Sequence, residues 1–99
     1  MSHQTDQESM DNLSAPVRDM HRAISTLIEA LRTQDALNQR HDMCTDPELR
    51  LLLAHQRDAG KKQVAMLLEW MRRRDVKLDV EMKEALFKAG PIVAQFHYE

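Results

Sequence analysis

Two long runs of helical apolar spacing, separated by about five residues, constrain this chain more than any other feature. In the first, Val17, Met20, Ile24, Leu27 and Leu31 alternate three and four residues apart, and the same face continues to the polar Gln34 and Asn38. Such spacing lines one side of an α-helix, here expected from about residue 15 to about 39. In the second, Leu49, Leu52, Gln56, Ala59, Gln63, Met66 and Trp70 repeat the alternation, with Leu53 and Leu67 widening the stripe. This predicts a helix over about residues 46–74, on the order of 40 Å long. The connection, Arg40 to Cys44, is too short to span either helix, so the two must run antiparallel.

Punctuation along the chain supports the same reading. Ser14 is a good N-cap and Pro16 falls in the first turn, where a missing N–H costs nothing. Thr45, Pro47 and Glu48 together suggest a capping box opening the second helix. Around Arg72 to Asp75 the pattern breaks. Val76, Val80, Met82, Leu86 and Phe87 then predict a shorter helix over about 76–89, with Gly90 as its left-handed terminator and Pro91 preventing continuation. Ile92, Val93 and Phe96 are expected to pack. Residues 1–13 are polar and read as a disordered arm, leaving 14–99 as a single helical domain. The fold class is therefore all-α, a two-long-helix hairpin plus a short C-terminal helix. Two helices side by side leave much of each apolar stripe wet, so a four-helix bundle made from two copies is the natural completion.

Composition narrows the function classes. Ninety-nine residues make one domain with a modest core, and Trp70, Phe87, Phe96 and Tyr98 are its only large aromatics. A formal charge of -2, from 14 basic and 16 acidic residues, argues against nucleic acid or an anionic membrane as the main partner. No run approaches the roughly 18–20 apolar residues of a membrane span, and the polar start has no signal-peptide core, so a cytoplasmic protein is expected. A single cysteine, Cys44, permits neither an internal disulfide nor a thiolate zinc cluster.

Helical bundles do chemistry most often by projecting carboxylates and histidines inward, typically with a Glu-x-x-His pair, because residues i and i+3 share a face. Midway along the second helix this chain has Gly60-Lys61-Lys62-Gln63 instead. His3, His21, His41, His55 and His97 do not converge in sequence. Only Glu29, His55 and Asp58 stand as weak metal candidates; His55 with Asp58 reads more simply as a solvated or hydrogen-bonded pair, and Glu29 as a flank charge. Gly60 is odd, since glycine inside a helix costs about 1 kcal/mol relative to alanine. Either a partner backbone approaches closely there or a side chain is no longer required. Gln34, Gln56 and Gln63 place amides on or beside the seam, where they need partners or a wet edge. The run Arg72-Arg73-Arg74, with Lys61-Lys62 upstream, suits a helix C-terminus better than a phosphate site.

The order of residues is itself informative: His21-Arg22-Ala23-Ile24, Thr45-Asp46-Pro47-Glu48-Leu49, Ala54-His55-Gln56-Arg57-Asp58, Met66-Leu67-Leu68-Glu69-Trp70 and Gly90-Pro91-Ile92. Across residues 21–92 the chain resembles the encapsulated ferritin family. That resemblance implies half a ferritin, which pairs to build a di-iron four-helix bundle, assembles into a ring and works inside an encapsulin shell. The family's iron ligands, one Glu on the first helix and a Glu-x-x-His on the second, fall at Ala30, Gly60 and Gln63. None of the three keeps the family residue. The family's aromatic pair is replaced by Ala36 and Leu37; of the acidic residues on the metal entry side, Glu29 matches and Arg32 reverses the charge. The sequence ends at Phe96-His97-Tyr98-Glu99 without the family's linker and short shell-docking peptide, so loading by that route is not expected.

The resulting expectation is a ferritin-like structural or assembly protein without a working ferroxidase centre. It would pair with itself as a dimer or higher ring, beside an active paralogue or within an encapsulin shell. No cofactor is expected. Two alternatives stand beside it: an iron-oxidising or iron-storage protein that has rebuilt its site from Glu29, His55 and Asp58, and a helical protein–protein interaction module.

Overall fold

A computed structural model describes residues 12–93, which form three α-helices: α1 (Ala15–Met43), α2 (Pro47–Arg72) and α3 (Val76–Ala85). No strand occurs among the described residues. Most of the polar arm, together with Phe96, His97 and Tyr98, lies outside them.

The helix ends follow local chemistry, with three departures from the sequence expectation. Ser14 caps α1 as expected, its Oγ accepting from the Val17 N–H at 3.4 Å. However, α1 continues about four residues further than apolar spacing suggested, because Gln39 to Asp42 are polar but good enough helix formers to extend it. It ends where Cys44 turns extended, its N–H still reaching the His41 carbonyl at 3.3 Å. The second helix is capped by Asp46 rather than Thr45. The Asp46 carboxylate accepts from the Leu49 N–H at 2.8 Å, and its carbonyl accepts from the Arg50 N–H at 3.0 Å. Asp caps at least as well as Thr, and this choice puts Pro47 at the first helical position, which its fixed φ suits best.

Third, α3 ends at Ala85, not near Ala89. It starts on Asp75, whose carboxylate accepts from the Leu78 N–H at 3.0 Å. Leu86 then turns extended, and Phe87 takes φ 60, a left-handed conformation uncommon for a non-glycine residue. Gly90 is also left-handed, at φ 89, but beyond the helix it was expected to stop. Phe87, Ile92 and Val93 are exposed on the single chain, so the expected packing of Ile92 and Val93 is not made within it.

The described residues divide into two compact units, 12–67 and 68–93. In the first, α1 and most of α2 form the expected hairpin. One row of less exposed residues on α1 is Met20, Ala23, Leu27, Ala30, Gln34, Leu37 and His41 and one on α2 is Arg50, Leu53, Arg57, Gly60, Val64 and Leu67, with Arg18, Ser25, Ala36 and Ala54 less exposed beside them. Both rows alternate three and four, as helices packed along their length require. Among the described residues only Ala23 and Leu37, at 8% and 2% exposure, are buried.

That leaves the most regular apolar repeat of α2 on the outside. Leu49, Leu52, Gln56, Ala59, Gln63 and Met66 are all exposed. They sit one residue, or about 100° of helix rotation, away from the stripe that meets α1. On α1, Val17, Ile24, Ile28 and Leu31 form another exposed apolar row. The hairpin is thus a pair of contacting helices with apolar surface still uncovered.

Candidate functional site

At mid-height the hairpin opens into a groove of about 210 Å³, lined by Ala30, Thr33, Gln34 and Leu37 from α1 and by Gln56, Gly60 and Gln63 from α2. Helical periodicity explains the grouping. Ala30, Thr33 or Gln34, and Leu37 recur every turn of α1, while Gln56, Gly60 and Gln63 do so along antiparallel α2. The three positions that the sequence resemblance singled out, Ala30, Gly60 and Gln63, therefore lie around one groove, joined by Leu37 from the replaced aromatic pair. Its lining contains no carboxylate, imidazole or thiolate.

Gly60 is explained by its own chain. The Gln34 side chain crosses from α1, and its Nε2 donates to the Arg57 carbonyl of α2 at 2.8 Å. A Cβ built on Gly60 would collide with that Nε2. Glycine here permits close approach of an amide side chain from the neighbouring helix, rather than of a partner's backbone. Gln34 and Gly60 were each conspicuous in the sequence, but nothing in their spacing, 26 residues apart, announced them as a pair.

Arg57 ties the helices a second time, its guanidinium donating to Asn38 Oδ1 at 3.3 Å and to Asp58 Oδ1 at 3.0 Å. Asp58 also holds Lys61 Nζ at 3.0 Å. Hydrogen bonds from Arg57 and Lys61 draw the Asp58 carboxyl down to about 2. Asp58 is thus engaged with two cations. His55 and Asp58 lie roughly 140° and 160° round α2 from Gly60, and Glu29 lies roughly 140° round α1 from Gln34. All three are exposed, and none lines the groove. Among the described residues no three His, Cys, Asp or Glu side chains gather as metal ligands would.

The arginine run is absorbed by the C-terminal unit. Arg72 binds Glu69, with contacts of 2.6 and 2.8 Å, and also Asp79; Arg73 binds Glu69 at 2.7 Å; Arg74 lies 4.0 Å over the Trp70 ring. Cys44 Sγ sits 3.7 Å from the Asp46 carbonyl. No helix among the described residues is long and apolar enough to cross a membrane.

A hairpin of two long antiparallel helices, a short third helix and a mid-height groove between the long pair define a ferritin-like half-bundle. The chain belongs to the EncFtn-like family, which it matches over residues 5–89. It is 44% identical over 87 residues to an encapsulated ferritin-like protein of Rhodospirillum rubrum, a match covering 88% of this chain and 62% of that protein. A ferritin-like protein of Thermotoga maritima is 34% identical over 85 residues, covering 86% of this chain and 75% of that one. The crystal structure of protein ne0167 from Nitrosomonas europaea superimposes with a TM-score of 0.83 at 50% identity, covering 86% of this chain and 94% of that one.

Proposed function

We propose that this chain is a ferritin-like structural protein that completes its bundle with a second copy and does not oxidise iron. The observation that carries the reading is the groove lining. Where the resemblance puts an acid, an acid and a histidine, the groove has a methyl group, a hydrogen atom and a neutral amide. Iron as substrate needs anionic oxygen or imidazole donors to balance its charge through Fe(II) and Fe(III). The groove residues do not fit it. The uncovered repeat of α2 supports the two-copy bundle, because an apolar stripe of this length is costly to leave in water.

By analogy with the encapsulated relative, the setting of such a scaffold is an encapsulin compartment, where it serves beside an iron-oxidising paralogue. Aerobic addition of Fe(II) to the purified chain tests the reading. The expected result is oxidation at the rate of buffer alone, with no iron retained after gel filtration. Catalysed oxidation with about two irons held per dimer, the stoichiometry of a di-iron bundle, would overturn it.

A further inference from the structure

The same groove shows what has taken the place of metal chemistry. We propose that amides tie the centre of this interface, so that two copies close over the groove without metal, with Gln56 and Gln63 of each copy bonding to those of the other. The inference rests on the two-copy reading above and adds how the copies are held.

The occupant is argued from the face itself. In a two-fold interface each residue near the axis meets its own counterpart, so charges there repel and self-complementary groups are favoured. The exposed row of α2 from Leu49 to Met66 contains no charged residue, and the α1 residues lining the groove, Ala30, Thr33, Gln34 and Leu37, are uncharged too; charges on that side of α1, Arg22, Glu29 and Arg40, lie outside the groove lining. The two polar members of the α2 row are glutamines, which carry both donors and acceptors and can therefore pair with themselves, as neither a carboxylate nor a lysine can. They stand at the middle of the row, beside the groove, with Leu49 and Leu52 at one end and Met66 at the other. Apolar ends around a polar centre give a seam in which only one register satisfies the amides, the device by which a seam asparagine fixes pairing in coiled coils.

The size is adequate. Seventeen residue steps at about 1.5 Å give a face about 26 Å long, and two packed helices about 20 Å wide give a footprint of roughly 500 Å² per copy. Both copies together then reach about 1,000 Å², where specific interfaces begin.

Gln34 supplies the preorganisation. Its bond to the Arg57 carbonyl lies within one chain, so the spacing of α1 and α2 at the groove is set before a second copy arrives. That amide occupies the volume into which a side chain at position 60 would project, and glycine at 60 is the condition for it. A bundle held by metal has the opposite dependence, its helices being drawn together only when the ion binds.

Sedimentation of the full chain at neutral pH, with EDTA or with added Fe(II) or Mn(II), tests this. The expected result is one dimer whose dissociation constant differs less than twofold among the three conditions. Loss of the dimer in EDTA, or a tenfold or greater tightening by either ion, would overturn metal-free closure and leave the two-copy reading intact. A monomer in all three would overturn both. Gln63→Glu, measured in EDTA, locates the centre: like charges brought together at the axis should weaken the dimer at least about tenfold at pH 8 and release it from that penalty at pH 4.5. Unchanged affinity at both pH values would remove Gln63 from the interface.

Discussion

The hairpin and the C-terminal unit both carry local ion pairs, but they differ in what else holds them. In residues 68–93 the ties are ionic and close in sequence: Glu69 with Arg72 and Arg73, Asp79 with Arg72 and Lys83, Glu81 with Lys77, and Arg74 stacked on Trp70. Most lie three or four residues apart on one helix, so the partner comes with the local structure. The hairpin is held by Leu37, Ala23 and the Gln34 amide, all dependent on a second helix. Charges can be satisfied by neighbours along a chain, whereas apolar area can be covered only by another body. The regular outward stripe of the hairpin therefore carries the expectation of a second copy, while the exposed Val76, Phe87 and Ile92 of the ion-paired unit form no comparable helical repeat.

The largest expected effect on this contrast comes from the core. Leu37→Ala removes the one fully buried large side chain of the hairpin. It should cost about 2–3 kcal/mol in urea unfolding at fixed protein concentration, toward the low end for a buried leucine because the site borders an open groove. A cost below about 1 kcal/mol would mean that the hairpin is not held at Leu37.

The Gln34–Gly60 pair offers a sharper and smaller test. Gly60→Ala should be nearly neutral in the native chain, because the gain of about 1 kcal/mol in helix propensity is offset by loss of the Gln34 bond. In a Gln34→Ala background the same change should stabilise by about 1 kcal/mol. A double-mutant cycle would therefore show coupling near 1 kcal/mol, and additive effects would dissolve the pair.

The smallest effects belong to the ion pairs. Hydrogen bonds from Arg72 and Arg73 hold the Glu69 carboxyl down to about 2, and Arg72 with Lys83 lowers that of Asp79. A depressed folded-state value stabilises above the unfolded value, 4.5 for Glu and 3.8 for Asp, and that contribution is lost as pH falls through the folded value, which is about 2 for Glu69. These groups are solvent-accessible, so the loss should be modest and screened by salt. A melting-temperature profile from pH 7 to 2 should fall through this window, and Arg72→Ala should flatten it. In the hairpin, Asp58 alone shows a comparably lowered carboxyl, drawn down by Arg57 and Lys61.

Much of this architecture was legible in the sequence because helix formation and capping act over a few residues. Ser14, Pro16, Pro47 and the three-four spacing specified two long helices and their antiparallel pairing. The cap at Asp46 was missed by one residue because Thr45 and Asp46 are both good caps, and the end of α3 was missed because no propensity favours a left-handed phenylalanine at position 87. The groove was legible only as a set of positions, Ala30, Gly60 and Gln63, carried over from a resemblance.

The sequence by itself therefore determined that the chain is a helical hairpin with more apolar surface than two helices can bury. Only tertiary structure decided which stripe turns inward. The stripe of α2 that meets α1 includes Arg50, Arg57 and Gly60, which read as polar or featureless; Arg50 reaches the Cys44 carbonyl at 3.2 Å and Arg57 reaches Asn38, while their aliphatic stems and the bare glycine accept the neighbouring helix. The more apolar stripe, one residue away, is left outside. A hundred degrees of helix rotation separates the two, and the contacts that select between them come from the other helix, at separations of 19 and 23 residues for Asn38–Arg57 and Gln34–Arg57.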